Sequence, residues 1–530
     1  MKAQSFIKGA LIISVGGIVA KILGALYRIP LTNILGGEGM GIYQMVYPLY
    51  CLLLTLSATG IPSALCRIVS HAEAAGARSG GAVLRKALLL FSLIGAAGTA
   101  LMFALAPVMS AVQREADAVF AYRMLAPSVL AVSVISCFRG YFQGKNNFLP
   151  TALSEILEQI VKISLGLFFA YTSRQNIAQA VAYCLLAVTV SEAAAALFMI
   201  VWYRISEPPC ARPLYRVREE QIASRTLFRF VLPVAVAAGV LPLSNILDSI
   251  IIVNLIGRYA GNATALYGVF SGGANTLVNL PVSVCYGLAA AVIPLVSSLY
   301  AQGMEAEAEK KIVFALKCTL FISLPAAAFL FAFPAQISAL LFRSVVGEEG
   351  AWLVRLIRIM SFGAVLLSAV QTLSACLTGR GKPKIAAFSM TAAVVVKLAL
   401  EFFLIRSPKI SVSGAAFASI GCYFVALLVN LLYSIRDKKN LARTAFDFVR
   451  LGAIAALAVA VAYPLRSMGA LVPLAVAAAV YLPLCVLLRC FSREEIGSIG
   501  RRKNYAYHRR AGMRPGRSYD RRKRGDFIRR

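Results

Sequence analysis

The sequence contains few of the residues from which catalytic and metal sites are usually built. Only 15% of its 530 residues are charged, and it holds two histidines and two tryptophans. The histidines, His71 and His508, lie outside the apolar segments, so neither a histidine-rich metal site nor a Ser-His-Asp triad can be assembled within those segments. The G-x-x-x-x-G-K-S/T motif of P-loop ATPases is also absent. We therefore expect neither an enzyme nor a protein driven directly by ATP.

The residues that are abundant are apolar. Hydrophobic residues make up 59% of the chain, and the mean hydropathy is +0.75. Soluble proteins are about 45–50% apolar and about 25% charged, so this composition indicates a membrane protein. Eleven cysteines lie mostly within apolar runs and without metal-ligand spacing, which predicts small buried side chains.

Fourteen apolar segments are long enough to cross a bilayer, whose hydrocarbon core of about 30 Å needs about 20 helical residues. Connectors as short as Gly144–Asn147 leave no room for a soluble domain. The sequence therefore predicts an all-α polytopic membrane protein with about 14 transmembrane helices. The segments are approximately 6–29, 41–65, 84–111, 118–142, 150–172, 178–203, 226–256, 264–299, 312–333, 351–378, 384–405, 411–435, 448–465 and 469–490.

The distribution of positive charge predicts the orientation in the membrane. The chain has 54 Lys and Arg against 23 Asp and Glu, and residues 491–530 alone hold 14 Lys and Arg against four Asp and Glu. With a cytoplasmic N-terminus, the inner connectors carry 22 Lys and Arg, without the tail, against seven outside. We expect a bacterial cell membrane protein with both termini in the cytoplasm. The tail, 491–530, is expected to be disordered and to bind anionic lipid headgroups rather than nucleic acid.

Two dipeptide matches indicate an internal repeat. Ile61-Pro62 recurs as Ile293-Pro294 after 232 residues, and Gly144-Lys145 recurs as Gly381-Lys382 after 237 residues. Six spans separate the members of each match, which predicts two six-helix lobes related by the repeat, with the substrate site between them. The predicted boundaries are an N-terminal lobe at 1–203, a cytoplasmic connector at 204–225, a C-terminal lobe at 226–435, helices 13 and 14 at 436–490, and the tail at 491–530.

The first span carries two positively charged residues. Lys21 and Arg28 are seven residues apart, which places both on one face of a helix. Charges within the bilayer are costly unless they face a cavity or a partner. A stripe of two cations suits an anionic group such as a phosphate, and we predict that both bind substrate. Alternatively, Arg28 extends to the membrane interface and Lys21 pairs with a carboxylate.

Further polar residues lie in later spans without a local partner. Arg139 and Glu192 either line the cavity or form a bridge between helices. Asp248 lies in the seventh span, and Asn275 follows Gly272-Gly273 in the long eighth span, which we expect to be bent or broken; alternatively both residues serve only helix packing. We predict Arg139 and Asn275 as substrate-binding residues and Asp248 and Glu192 as ion-coupling residues.

Two charged pairs have the i, i+4 spacing at which helical side chains neutralise each other. They are Glu158 with Lys162 and, in the reverse order, Lys397 with Glu401. We interpret both pairs as structural.

One stretch of the sequence is similar to a known family. The run GALYRIPLTNILGGEGMGIYQMVYPLY at 24–50, followed by GIPSAL at 60–65, resembles the polysaccharide-export branch of the multidrug/oligosaccharidyl-lipid/polysaccharide (MOP) exporter superfamily. The likeness is greatest to its stage V sporulation and Gram-positive lipid II flippase members. It implies fourteen helices in two V-shaped lobes, with the arginine at Arg28 directed toward a pyrophosphate. It also implies a lipid-tail groove formed by the last two spans. The flippases carry an acidic residue at the start of the second span, near the position of Ile42, and this sequence lacks it. Its absence favours the sporulation-type or general polysaccharide branch.

The resemblance implies a flippase that moves an undecaprenyl-pyrophosphate-linked oligosaccharide or peptidoglycan precursor to the outer leaflet by alternating access. No cofactor is expected beyond a coupling ion, Na⁺ or H⁺, or the membrane potential. Cell-envelope biosynthesis proteins are candidate partners. Two alternatives remain open: a cation-coupled multidrug antiporter of the same superfamily and a non-transporting scaffold for envelope assembly.

Overall fold

The computed structural model describes residues 3–58, 60–74, 80–206, 224–435 and 437–492. Within these ranges, the side chains of 3–15, Ile18, Lys21, 72–74, Gly80, 224–237, Ala290 and Ala291 lie outside the description. The predicted connector at 204–225 and the tail at 491–530 lie almost wholly outside the described residues, so both stay predictions. The chain divides into a compact unit, Met1–Leu484, and a small one, Cys485–Arg530.

The described residues form helices joined by short turns, with no strands among them. Seventeen α-helices follow one another: α1 Ala3–Ala58, α2 Ile61–Ala74, α3 Gly80–Gln113, α4 Ala118–Leu125, α5 Ser128–Gly144, α6 Leu149–Thr172, α7 Ile177–Ser206, α8 Ser224–Ile256, α9 Ala263–Gly268, α10 Asn275–Ala301, α11 Glu305–Ala332, α12 Pro334–Leu341, α13 Gly347–Gly379, α14 Pro383–Leu404, α15 Ser413–Ser434, α16 Lys438–Ala462 and α17 Leu471–Leu487.

The first helix is a hairpin of two spans. Its run is interrupted at Gly36, whose φ of 68° and ψ of −170° lie in a region that only glycine adopts readily. In a straight helix Arg28 and Tyr47 would be separated by about 28 Å. Both side chains nevertheless line one cavity, so the chain reverses between them. The hairpin places the sequence-predicted first and second spans side by side.

Replacing Gly36 by alanine is expected to lower the free energy of unfolding by about 1–3 kcal/mol, the cost of a side chain in this backbone region. No heavy atom lies within 4 Å of a Cβ built there, so the effect is conformational rather than steric. Thermal unfolding of the purified protein measures it. Gly452→Ala in α16 is the control, because that glycine also has open space but no positive φ. Equal melting temperatures for the two variants would contradict the hairpin geometry.

Eleven helices in the described part meet length and composition criteria for crossing a membrane, fewer than the predicted fourteen. The difference has three sources. The hairpin at Gly36 lies within a single counted span, Ile22–His71. Helix α6 carries Glu155, Glu158 and Lys162, too many charges for the criterion, and α17 has only 17 residues. The polytopic, all-helical fold is confirmed.

The eighth predicted span, which we expected to be bent or broken, contains an irregular segment but remains helical on both sides of it. Between α9 and α10 the backbone forms a π-helical segment, Val269–Ala274, which includes Gly272 and Gly273. Segments of this kind are uncommon and often lie at functional sites. Here the segment packs against α1 and against α13.

Corresponding contacts occur in the two halves of the chain. A Cβ built on Gly140 in α5 would meet Pro62 of α2, and one built on Gly379 in α13 would meet Ile293 of α10. These are the two Ile-Pro sites that suggested the repeat. Buried side chains also cluster by half: one cluster runs from Tyr27 to Val188 with Ile246, and another from Ile252 to Ala477 with Met45.

Helices α16 and α17 pack on α11. A buried ion pair joins Lys317 Nζ to Asp447 Oδ1 at 3.5 Å, and Tyr481 donates its hydroxyl hydrogen to the carbonyl oxygen of Phe321 at 3.0 Å. Buried charges are stable in a bundle only when they are paired, so the ion pair fixes α16 at this position. These contacts attach the two last helices to the second half of the chain.

Candidate functional site

A cavity of about 280 Å³ lies where α1, α6 and α10 meet. Both arms of the Gly36 hairpin contribute to its wall, together with one face of α10. On α10 the lining residues have i, i+3 and i+7 spacing and therefore share that face. The lining residues are Gly24, Ala25, Tyr27, Arg28, Tyr43, Tyr47, Lys162, Thr276, Asn279 and Ser283.

The wall of the cavity combines aromatic rings with hydroxyl groups. Tyr43 and Tyr47 stack with ring centroids 5.7 Å apart. The hydroxyl oxygens of Tyr27 and Thr276 are buried and have no hydrogen-bond partner among the described residues. The Tyr27 hydroxyl packs against Gly166 of α6, and both oxygens have almost no accessible surface, so neither opens onto the cavity.

The cavity wall carries two cations and no carboxylate. Arg28 from α1 and Lys162 from α6 both line it, whereas no Asp or Glu does. Glu158 is one turn from Lys162, but its Oε2 pairs with Arg139 at 3.2 Å instead. The expected Glu158–Lys162 pair is therefore wrong, because α5 supplies a competing arginine. Neither cavity cation forms an ion pair within the described part of the chain, and the site is electropositive.

The other predicted substrate-binding residues lie elsewhere or outside the description. The side chain of Lys21 is not among those described. Arg139 is held by Glu158 and by Ser154, whose Oγ lies 3.0 Å from its Nε, so it forms the bridge between helices that was the alternative. Asn275 precedes the lining face of α10 by one residue and does not line the cavity, although its buried Oδ1 lacks a described partner. A substrate contact by any of the three stays a prediction.

Glu192 lies behind the aromatic wall of the cavity. It is buried in α7, and its Oε1 accepts a short hydrogen bond from the Tyr50 hydroxyl, while its Oε2 has no described partner. The Tyr50 ring packs edge-on against Tyr47 at 5.4 Å, and Tyr47 lines the cavity. Two tyrosines, Tyr50 and Tyr47, therefore lie between Glu192 and the cavity.

Asp248 lies in a second buried charged cluster. Its Oδ2 contacts the ammonium of Lys397, which also lies 3.6 Å from Glu401 Oε1. The predicted Lys397–Glu401 pair is present, but it is not self-contained, because α8 brings a second carboxylate to the same ammonium. None of the three lines the central cavity.

The two halves of the chain are joined by hydrogen bonds at one end of the bundle, which we call the inter-half interface. Next to it is a second cavity of about 470 Å³, lined by residues of four connectors that were all predicted to lie outside the cell, including Glu38, Arg114, Asn262 and Glu349. The side of the membrane itself stays a prediction. The bonds include Asn33 Nδ2 to the Leu341 oxygen (2.6 Å), Gln44 Nε2 to the Ser271 oxygen (3.1 Å), Gln113 Nε2 to Ser249 Oγ (2.9 Å), Asn254 Nδ2 to the Val112 oxygen (2.7 Å) and Thr264 Oγ1 to Glu115 Oε2 (2.6 Å).

Two protein-family models match the chain. One, described as "Polysaccharide biosynthesis protein", matches residues 6–300, and a second, MatE, matches residues 233–403. The chain belongs to the polysaccharide biosynthesis protein family. Among its relatives, stage V sporulation protein B of Bacillus subtilis (strain 168) is 29% identical over 442 residues, which cover 81% of this chain and 83% of that protein. Lipid II flippase MurJ of the same organism is 23% identical over 454 residues, 81% and 82% of the two chains.

Solved structures agree with the fold of this polysaccharide biosynthesis protein. The inward closed conformation of lipid II flippase MurJ gives a TM-score of 0.70 at 15% identity, and covers 90% of this chain and 99% of that one. An inward-facing multidrug resistance MATE family transporter gives 0.67 at 18% identity, with 81% and 95% covered. The family models and the relatives place this multi-pass membrane transporter in the MOP superfamily, in its polysaccharide and lipid II flippase branch, and the two solved structures agree with its fold.

Proposed function

We propose that this transporter is a flippase for an undecaprenyl-pyrophosphate-linked oligosaccharide or peptidoglycan precursor, moving it from the inner to the outer leaflet by alternating access. The observation that carries the proposal is the electropositive cavity. Arg28 and Lys162 reach it from two different helices, and no carboxylate of the described residues lines it. Cell-wall, spore-cortex or polysaccharide synthesis is the setting in which such a substrate is made.

The cavity's groups match a diphosphate. A guanidinium donates two parallel hydrogen bonds to phosphate oxygens, and an ammonium acts as a point charge, so Arg28 and Lys162 play complementary roles. The amide of Asn279, which also lines the cavity, has one N–H beyond its bond to the Asn275 oxygen and can donate it to the same oxygens or to a sugar. Electrostatic attraction is stronger here than in water, because the surroundings have a low dielectric constant. The prenyl chain stays in lipid, beside α16 and α17.

Alternating access needs one closed and one open end. The inter-half interface closes one end through side-chain and backbone hydrogen bonds, which can break and re-form without loss of the helices. Glu192 and Asp248 are the ion-coupling carboxylates of the proposal, with the membrane potential as a further driving force. Anionic lipids at the basic tail and cell-envelope biosynthesis proteins are its proposed partners.

Ligand-dependent stability tests the substrate class. Undecaprenyl pyrophosphate is expected to raise the melting temperature of the purified protein, because a ligand at 100 times its Kd stabilises the folded state by about 2.7 kcal/mol. Undecaprenyl monophosphate, which has one phosphate fewer, is the matched control and should stabilise less. The cationic drug ethidium should have no effect. Stabilisation by ethidium but not by the lipid would support a multidrug antiporter, and stabilisation by neither would leave a scaffold.

A further inference from the structure

A buried cluster of two carboxylates and one ammonium lies away from the central cavity. Asp248 comes from α8, and Lys397 and Glu401 lie one turn apart on α14. The side chains of Asp248, Lys397 and Glu401 are only 7%, 12% and 0% exposed. With this burial, the charges act on one another and are not screened by water.

The charges of the cluster do not balance when all three groups are ionised. Two carboxylates and one ammonium leave one negative charge in an apolar interior, which costs several kcal/mol unless a further positive charge neutralises it. The other titratable groups that face the cluster within the described chain are Tyr267 on α9 and Cys422 and Tyr423 on α15. None of these supplies a positive charge.

The contacts distinguish the two carboxyl groups. Asp248 is bonded directly to the ammonium of Lys397, which stabilises its ionised form. Glu401 is farther from the ammonium, at 3.6 Å, and neither of its oxygens has a hydrogen-bond partner among the described residues. A fully buried carboxylate without hydrogen bonds is unfavourable, whereas a protonated one is tolerated. Glu401 is therefore the group on which a proton resolves the imbalance.

We propose that this cluster is a proton-binding site, in which the ammonium of Lys397 supplies the positive charge between the two carboxylates and Glu401 carries the exchangeable proton. The proposal rests on the transport function above and specifies its ion: a proton and not sodium. When Glu401 is ionised, the ammonium is shared between two carboxylates. When Glu401 is protonated, the ammonium belongs to Asp248 alone.

The position of the cluster allows this change to act on the inter-half interface. Ser249 follows Asp248 on α8, and its hydroxyl accepts the hydrogen bond from Gln113 of the first half at 2.9 Å. A shift of Lys397 toward Glu401 loosens Asp248, and hence the turn of α8 that holds this bond. Proton release at Glu401 is thereby linked to the contact between the halves.

Infrared absorption of the full-length protein at neutral pH tests the proton. The C=O stretch of a protonated carboxyl group is distinct from that of a carboxylate, and we expect the wild-type spectrum to contain a contribution that is lost in Glu401→Gln. Glu305→Gln, on the exposed first turn of α11, is the matched control and should leave it unchanged. A Glu401→Gln spectrum identical to wild type in this region would overturn the proposal.

Thermal unfolding in sodium chloride and in choline chloride tests the exclusion of metal. The wild-type melting temperature should be the same in both salts, because the ammonium fills the site. In Lys397→Ala the two carboxylates lack their cation, so the melting temperature of this variant should be higher in sodium chloride than in choline chloride. A sodium-dependent rise in the wild-type protein would contradict the proposal, even if the variant does not fold. Neither measurement uses a lipid substrate, so its outcome is independent of the substrate class.

Discussion

Removing both cavity cations, in an Arg28→Gln, Lys162→Gln double variant, is expected to weaken binding of undecaprenyl pyrophosphate by at least about 100-fold. A hydrogen bond to a charged group contributes about 1.5–3 kcal/mol, and each 1.4 kcal/mol is a factor of ten in Kd. Each single variant should therefore lose about 10- to 100-fold. The Kd is measured by titrating the lipid into the purified protein and following its intrinsic fluorescence.

The control for this experiment removes an ion pair instead of two free charges. In an Arg139→Gln, Glu158→Gln double variant the net charge of the bundle is unchanged, since the two groups neutralise each other at 3.2 Å. Its affinity should match the wild type, although its stability can fall. If Arg139 contacts substrate as the sequence suggested, this variant loses affinity too. Full affinity in the Arg28, Lys162 variant would refute the role of the electropositive cavity.

The membrane fold could be predicted from the sequence because it depends on local properties. Each span needs only about 20 apolar residues in a row, and each connector is marked by charge, proline or glycine. The irregular backbone at Gly272-Gly273 could be foreseen for the same reason. The two spans on either side of Gly36 could also be foreseen. The backbone geometry of the hairpin between them could not, because hydropathy carries no information about backbone angles.

The partners of charged residues could not be predicted, because they come from distant parts of the chain. The i, i+4 spacing assigns Lys162 to Glu158, yet Arg139 from the preceding helix takes that carboxylate. Asp248 has no partner nearby in sequence, yet Lys397 approaches from 149 residues away. Local spacing shows which pairs are available and tertiary packing decides which form. The sequence did hold one signal for Lys162. Arg139, Glu158 and Lys162 lie in the consecutive helices α5 and α6, so two cations were available to the Glu158 carboxylate.

The lining face of α10 shows a similar limit. Asn275 is the polar residue that follows the glycine pair, but the residues that reach the cavity are Thr276, Asn279 and Ser283. Their i, i+3, i+7 spacing marked a polar face that the sequence already contained. The π-helical segment before α10 determines the direction in which this face points. That direction cannot be read from the spacing of the polar residues. Neighbouring residues on a helix differ by about 100° in direction, so an error of one residue moves a side chain out of the site.

Close backbone packing at the inter-half interface leads to the second large effect. Helix α1, just after the hairpin bend, lies directly against α9: a Cβ built on Gly268 would overlap the Gly37 carbonyl oxygen, and one built on Gly41 would overlap the Thr264 oxygen. Backbone cannot move aside as a flexible side chain can. A methyl group at Gly268 must therefore push the two halves of the chain apart at this end.

Gly268→Ala is consequently expected to open the inter-half interface and to expose the cavity from that side. Overpacking costs about 1–3 kcal/mol, which shifts a two-state equilibrium by about 5- to 150-fold. Accessibility measures the shift: in a cysteine-free background with Ser283→Cys on the cavity wall, a membrane-impermeant maleimide is applied to whole cells. Labelling should be slow in the parent protein and at least about fivefold faster with Gly268→Ala.

Gly452→Ala provides the matched control, because it adds the same methyl group to a helix where no heavy atom lies within 4 Å of the new Cβ. Its labelling rate should equal that of the parent. The same variants are also labelled from inverted vesicles, where an opening confined to the interface leaves the rate unchanged or lowers it. Faster labelling of Gly268→Ala from both sides would indicate general loosening of the bundle. An unchanged rate from outside would show either that the halves separate at the other end or that this interface faces the cytoplasm.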